Sequence, residues 1–277
     1  MTIAQTSLET ATAPRNRILA RLPAEELEAM RATLTRVPLQ LKQVVADVSQ
    51  PIEHVYFCDD AIISVLSVMA DGSAIESATV GNEGMVGVSL LLGVDRMALQ
   101  AFVQVPGYAW RMDADAFAEA IARGGELPRL LGRYVIALIT QMGQASGCNR
   151  KHTIEERCAR WLLMTHDRVG RDEFVLTHHI LSQMLGVRRA TVTVAAGRFQ
   201  RAGLIRYARG HVTIVDRAGL ERAACECYDV IRAEYARLLE GRTIPSPLGG
   251  VKLSEGGRTV ARDGTPREEG EPAADGE

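Results

Sequence analysis

Residues 177–215 read T-H-H-I-L-S-Q-M-L-G-V-R-R-A-T-V-T-V-A-A-G-R-F-Q-R-A-G-L-I-R-Y-A-R-G-H-V-T-I-V. The apolar period of this stretch changes from helical to alternating partway along. Ile180, Leu181, Met184 and Leu185 recur at helical spacing behind Thr177, whose hydroxyl suits an N-cap. Gly186 supplies the backbone freedom of a sharp turn. A second helix is expected from about Arg188 to Arg201, with Val192, Ala195 and Phe199 on one face, and Gly203 stands where a helix-ending glycine belongs. Residues 204–208 and 211–215 then alternate as two strands joined at Arg209-Gly210.

Helix, tight turn, helix and hairpin, with the small Ser182 where two helices must cross closely, is the order of a winged helix-turn-helix. In that motif the second helix enters the DNA major groove. Charge agrees with this reading. From Phe174 to Val215 there is no Asp or Glu, but there are six Arg: 188, 189, 198, 201, 206 and 209. The whole chain balances 32 basic against 34 acidic residues, so the basicity is local and fits phosphate contact by one face. Double-stranded DNA is the expected partner. Arg188, Arg189, Thr191, Thr193 and Arg209 are the expected contacts, and His178 at the start of the first helix is a further surface or phosphate contact.

A chain of 277 residues holds one or two domains, and 47% hydrophobic with 24% charged residues is a globular composition. No run of eighteen apolar residues would span a membrane, and the first residues do not look like a secretory signal. Five cysteines (58, 148, 158, 225 and 227) are odd in number and form no disulfide framework, which suits a reducing cytoplasm.

Around the central stretch the chain divides by texture. Residues 1–14 read as a loose tail. Residues 15–125 begin with short helices and continue from Val37 to about Met112 as short strands with turn signals. Among them A-D-G-S (70–73) joins two strands, and in L-Q-A-F-V-Q-V the apolar Leu99, Ala101, Val103 and Val105 oppose Gln100 and Gln104. Many short, evenly spaced strands predict a sandwich or jelly-roll barrel. Residues 126–152 predict one helix, about 39 Å long at ~1.5 Å per residue. Its stripe Leu127, Leu131, Tyr134, Leu138, Gln141, Ala145, Cys148 and His152 advances by alternate steps of four and three, as a coiled-coil seam does. A homodimer through that seam is expected, with Cys148 facing its twin. An amphipathic helix opens the segment 153–220, a final helix covers 221–240, and residues 241–277, rich in Gly, Pro and charge, read as a second tail. The fold class is α+β.

Barrel, long helix and winged helix-turn-helix, in this order over about residues 15–220, resemble the Crp/Fnr family of transcription regulators. L-S-Q-M-L-G-V-R-R-A-T-V followed by G-L-I-R-Y-A-R-G-H-V-T-I-V-D carries the resemblance most strongly. It implies a homodimer that reads a two-fold-related operator and works with RNA polymerase. It also implies that Arg189 takes a DNA-contacting position and Thr191 a phosphate-contacting one. Ala190 and Val194 stand where many members carry a base-reading Glu and Arg, so the family's best-known operators do not transfer to this chain. In the sensory segment V-G-N-E-G-M-V-G-V-S-L-L-L-G-V-D-R-M, the resemblance makes Gly84 and Arg96 the remnants of a nucleotide site. Met85 and Met97 replace the Glu and the hydroxyl that would hold ribose and phosphate, so no response to cyclic nucleotides is expected.

Other chemistry is sparse. There is no nucleophile elbow, phosphate-cradling glycine loop or paired carboxylates near a His, so no enzyme is expected. Cys225 and Cys227 stand two apart on the expected final helix, where such neighbours do not face each other, so no metal or other cofactor is expected. His54 reads as a satisfied strand histidine. The rival reading is a cyclic-nucleotide or redox sensor that acts through protein contacts, which would leave the arginine-rich hairpin without a purpose.

Overall fold

Strands with apolar residues on one face must bury that face, and the first half of the chain does so by folding two sheets onto each other. The computed structural model describes residues 13–248 together with the two short strands at 252–253 and 259–260. A short helix α1 (Ala24–Arg31) leads into β1 (Thr35–Leu39), β2 (Val44–Ala46), β3 (His54–Cys58), β4 (Ile62–Val68), β5 (Ala74–Val80), β6 (Met85–Val86), β7 (Leu99–Val105) and β8 (Gly107–Asp113). Two antiparallel four-stranded sheets, β1-β8-β3-β6 and β2-β7-β4-β5, form the expected jelly roll. The β4–β5 hairpin turns at the A-D-G-S stretch, where Gly72 has φ +82°. His54 is answered across the sheet by Asp113, 3.2 Å from its Nε2.

Helix α2 (Ala114–Ala122) caps the barrel with Phe117, whose ring centroid is 6.5 Å from that of Phe57. Then come α3 (Glu126–Lys151), α4 (Ile154–Val169), β9 (Glu173–Val175), α5 (His178–Leu185), α6 (Arg189–Arg201), β10 (Ile205–Ala208), β11 (His211–Ile214), α7 (Arg217–Ala223), α8 (Cys227–Glu240), and the two-residue strands β12 (Lys252–Leu253) and β13 (Thr259–Val260). The expected tails at 1–14 and 241–277 fall largely outside the described residues; the β12–β13 pairing was not foreseen in the second of them.

Helix α3 has the expected length, but the expected seam does not face outward. Leu127, Leu131, Tyr134, Gln141 and Cys148 are buried inside their own chain. The Tyr134 hydroxyl donates to the Met85 carbonyl at 3.1 Å, and the Gln141 amide donates to the Thr79 carbonyl at 3.0 Å. The Tyr235 ring of α8 lies 6.5 Å from that of Tyr134. Cys148 therefore meets Cys225 of the same chain rather than a twin. A regular period shows that a stripe is covered without saying by what. The face that remains open carries Gly132, Ile136, Ile139, Gly143 and Gly147, again at steps of three and four; the two isoleucines are 49% and 58% exposed.

The final helix also departs from expectation. Asp216 caps α7 by accepting the Gly219 amide at 2.8 Å, and the chain then extends at Ala224 (ψ 154°) before α8 begins. Cys225 and Cys227 thus lie at a break between two helices. The premise that kept them apart, one continuous helix, does not hold.

The helical half is joined to the barrel by a buried ion pair. Arg168 of α4 directs Nε to the Glu83 carboxylate at 2.8 Å, Nη2 to the Gln141 side-chain oxygen at 2.9 Å and Nη1 to the Met164 carbonyl at 3.0 Å. Both charged side chains are nearly closed to solvent, at 7% and 4% exposure. Gly81 makes room for this arginine, since a Cβ there would come within 2.6 Å of its side chain.

A second polar junction lies on the outer face of β5. Glu76 accepts from Ser64 Oγ at 2.6 Å and from Trp161 Nε1 of α4 at 3.0 Å. Burial raises the Glu76 carboxyl above its ordinary pKa, while the Ser64 bond pulls the other way. Gln104, on the polar face of β7, is buried here beside Ser64.

Replacing Arg168 by Met should leave the Glu83 carboxylate buried without its cation and cost about 3–5 kcal/mol. Urea unfolding checks this. The double variant Arg168→Met, Glu83→Gln should recover part of the loss, because it removes the orphaned charge as well.

Candidate nucleic-acid interface

The turn between α5 and α6 is held from several sides. Thr177 Oγ1 accepts the Ile180 amide at 3.2 Å and so caps α5. Gly186 takes φ +62°, and the Val187 amide returns to the Ser182 carbonyl at 3.0 Å. The last carbonyl of α5, that of Leu185, accepts from the Arg157 guanidinium of α4. Ser182, nearly buried, donates its hydroxyl to the His179 carbonyl at 2.8 Å and leaves room for the crossing helix. Helix α6 buries Val192, Ala195, Ala196 and Phe199.

The opposite face of α6 is open. Arg188, Arg189, Thr191, Thr193 and Val194 are all exposed along its first turns. Arg188 sits at the N-cap and no side chain caps the helix, so the positive end of its dipole faces outward with the arginines. Beside it β10 and β11 form the wing, with β9 pairing to β11 behind them. The wing turns in two residues, Arg209 at φ +51° and Gly210 at φ +81°. Positive φ at both positions matches the strand twist, as tight hairpins require. Arg209 is exposed at its tip.

One expected contact is placed differently. His178 is half-buried and turned toward the protein. Its Nδ1 lies 3.0 Å from Thr193 Oγ1, and its ring centroid is 4.5 Å from that of Tyr207 in the wing. Burial, and then the Arg189 charge, lower its pKa below the ordinary histidine value. It packs between α5, α6 and the wing, where an open surface or phosphate contact is expected from the sequence. Tyr207 was not singled out in the sequence, where it looks like one more alternating wing residue; its hydroxyl donates to the Leu176 carbonyl and its amide to the Gln200 side chain at 3.1 Å. Arg198 is also committed within the chain, to Glu155 of α4. The positive field therefore comes from Arg188, Arg189, Arg201, Arg206 and Arg209.

In the barrel the two nucleotide-site remnants do not converge. Gly84 packs against Tyr134, where a Cβ would come within 2.5 Å of the ring. Arg96 is exposed, with Nη1 3.2 Å from the Ser49 carbonyl and Nε 3.7 Å from Asp95. A cavity beside α3 is lined by Ile52, Val65, Met85, Val88, Leu138 and other apolar residues, and Asp47 is the charged side chain at its edge. Arg96 is not in its lining.

A family model described as the Crp-like helix-turn-helix domain matches residues 156–223. No curated protein matches the chain. Among solved structures the fold is similar to FixK2 from Bradyrhizobium japonicum, with TM-score 0.60 and 15% identity over 69% of this chain and 98% of that one. It is also similar to TTHB099, a transcriptional regulator of the CRP family from Thermus thermophilus, with TM-score 0.55 and 20% identity over 69% and 96% of the two chains. A third is the c-di-GMP-responsive global regulator CLP of Xanthomonas campestris, with TM-score 0.53 and 14% identity over 69% and 99%. Residues 156–223 thus form a Crp-like helix-turn-helix domain, and the fold around it is similar to that of these regulators.

Proposed function

We propose that this protein is a transcription regulator of the Crp/Fnr type, not an enzyme, that binds DNA as a homodimer, reads a two-fold-related operator with α6, and does not take cyclic AMP or cyclic GMP as its effector. The observation that carries the DNA reading is the arginine face of α6 and the wing, which no carboxylate of its own stretch opposes. Arg188 and Arg189 enter the groove at the start of α6, Thr191 and Thr193 flank them, and Arg209 reaches the backbone from the wing. Val194, 53% exposed at the centre of this face, suits contact with a thymine methyl group rather than a guanine edge. RNA polymerase is the protein partner that the family likeness implies, in the reducing cytoplasm. A sensor acting only through protein contacts would have no use for the arginine face.

The dimer is proposed through the open face of α3. Ile136 and Ile139 would meet their twins across a two-fold axis, and Gly132, Gly143 and Gly147 would let the helices approach closely, since a Cβ on any of them would touch nothing within its own chain. Continuity with the helix-turn-helix supports this, because α3 leads within two residues into α4.

Against a cyclic nucleotide stands the chemistry of the cavity. Its surface is apolar, its charged edge is an acid, and Arg96 lies outside it. Asp47 is held below the ordinary carboxylate pKa by the Gln100 side chain and the Val48 amide, so it is anionic at neutral pH and repels a phosphate. Micromolar affinity needs about 8 kcal/mol of net binding, and the ribose and phosphate find no buried cation here to supply it.

Three measurements test these readings. In electrophoretic titrations with selected operator DNA, Arg189→Ala should cost about 1–3 kcal/mol and relax preference at one base pair. Arg209→Ala should weaken all sequences alike and shallow the salt slope by about one; equal, sequence-independent losses in both variants would remove α6 as the reader. Light scattering should find a dimer for the wild type and a monomer for Ile139→Asp. Calorimetric titration with either cyclic nucleotide should give no saturable heat up to about 100 µM; saturation below about 10 µM, lost in Arg96→Ala, would reverse the assignment.

A further inference from the structure

Four ligand-type side chains from distant parts of the sequence converge behind α3. Cys148 lies in the last turn of α3, and His152, the residue that caps the helix, returns its amide to the Cys148 carbonyl at 3.1 Å. Cys225 and Cys227 reach the same place from the break between α7 and α8. We infer that Cys148, His152, Cys225 and Cys227 form a closed site for one tetrahedral cation of the zinc class.

The spacing fits such an ion. All four ligand atoms lie within 4.8 Å of one another, with Cys148 Sγ 3.5 Å from Cys225 Sγ and Cys227 Sγ 3.6 Å from His152 Nδ1. Zinc–sulfur bonds of about 2.3 Å and zinc–nitrogen bonds of about 2.0–2.1 Å in a tetrahedron set sulfurs about 3.8 Å apart and sulfur to nitrogen about 3.5 Å apart. Soft thiolates with one imidazole select zinc over magnesium or calcium. The three cysteines are 1%, 5% and 3% exposed, which suits a closed structural site without an open position for water.

Two further features support the assignment. The Glu226 carboxylate lies 3.1 Å from His152 Nε2, on the side of the ring away from the sulfurs. That contact fixes the proton on Nε2 and leaves Nδ1 free to ligate, the arrangement in which a carboxylate behind the ring orients a metal-bound histidine. Three thiolates and a divalent ion would also leave one negative charge in a buried place. Arg157 and Arg160 of α4 are both nearly buried and in no salt bridge among the described residues. Their charge answers that of a thiolate-rich site.

The ion would fasten the end of α3 to the start of α8, two residues before α4 begins. This site does not depend on how α6 reads DNA, so its test stands apart from that reading. The full chain, purified under reducing conditions without chelators, should carry about one zinc per chain by plasma mass spectrometry. Cobalt(II) added to chelator-stripped protein should give tetrahedral d–d bands and thiolate-to-cobalt charge transfer. Cys225→Ser should abolish that charge-transfer intensity. Glu226→Gln, which touches no ligand atom of the ion, should lower zinc affinity about 10–100-fold in competition with a chromophoric chelator while leaving the circular dichroism unchanged. Reduced wild-type protein that takes up neither zinc nor cobalt would overturn the proposal. So would isolation with an iron–sulfur chromophore in place of zinc, or with Cys148 and Cys225 joined as a disulfide that persists under reducing conditions. Unchanged affinity in Glu226→Gln would remove its orienting role.

Discussion

A guanidinium almost closed to water stays in a protein interior only if its charge and its donors are answered. Arg168 is answered by Glu83 at 2.8 Å, by the Gln141 side chain and by a carbonyl of its own helix. Those partners come from three places: the turn after β5, the middle of α3, and α4. The interaction therefore ties the barrel, the long helix and the first helix of the DNA-binding region at a single point. Such a pair adds little net stability over a well-packed apolar contact, but it admits few alternative geometries, because any shift strands a buried charge. Gly81 and Gly84 belong to the same constraint, for a side chain at either would displace Arg168 or Tyr134.

From that point outward, the recognition helix is positioned by successive caps and spacers. Arg157 of α4 closes the end of α5, Thr177 opens α5, and His178 lies between Thr193 and Tyr207. The exposed arginines of α6 then stand on a frame held at several points. The barrel reaches the same frame through Glu76, which holds Trp161 of α4. A change inside the barrel could thus be felt at α4 without passing through the link between α3 and α4.

Much of the architecture was legible in the chain itself. The 3.6-residue period of α5 and α6, Gly186 at the turn, the alternation of the wing and the missing carboxylates between Phe174 and Val215 are local signals, and local backbone preference decides such elements. The short strands and their turn residues likewise announced a barrel. These features depend on neighbours a few residues apart, so one sequence carries them.

What the chain could not show was which surfaces meet. The heptad stripe from Leu127 to Cys148 is covered, but by the barrel and α8 rather than by a second α3, because periodicity records burial and not the identity of the partner. His178 looked like a surface histidine until the wing folded its tyrosine onto it. Cys225 and Cys227 looked divergent because they were read as parts of one helix, and an extended Ala224 brings them together with Cys148 and His152, more than seventy residues away. Contacts over that separation are set by how the helices pack, and packing is a property of the whole fold.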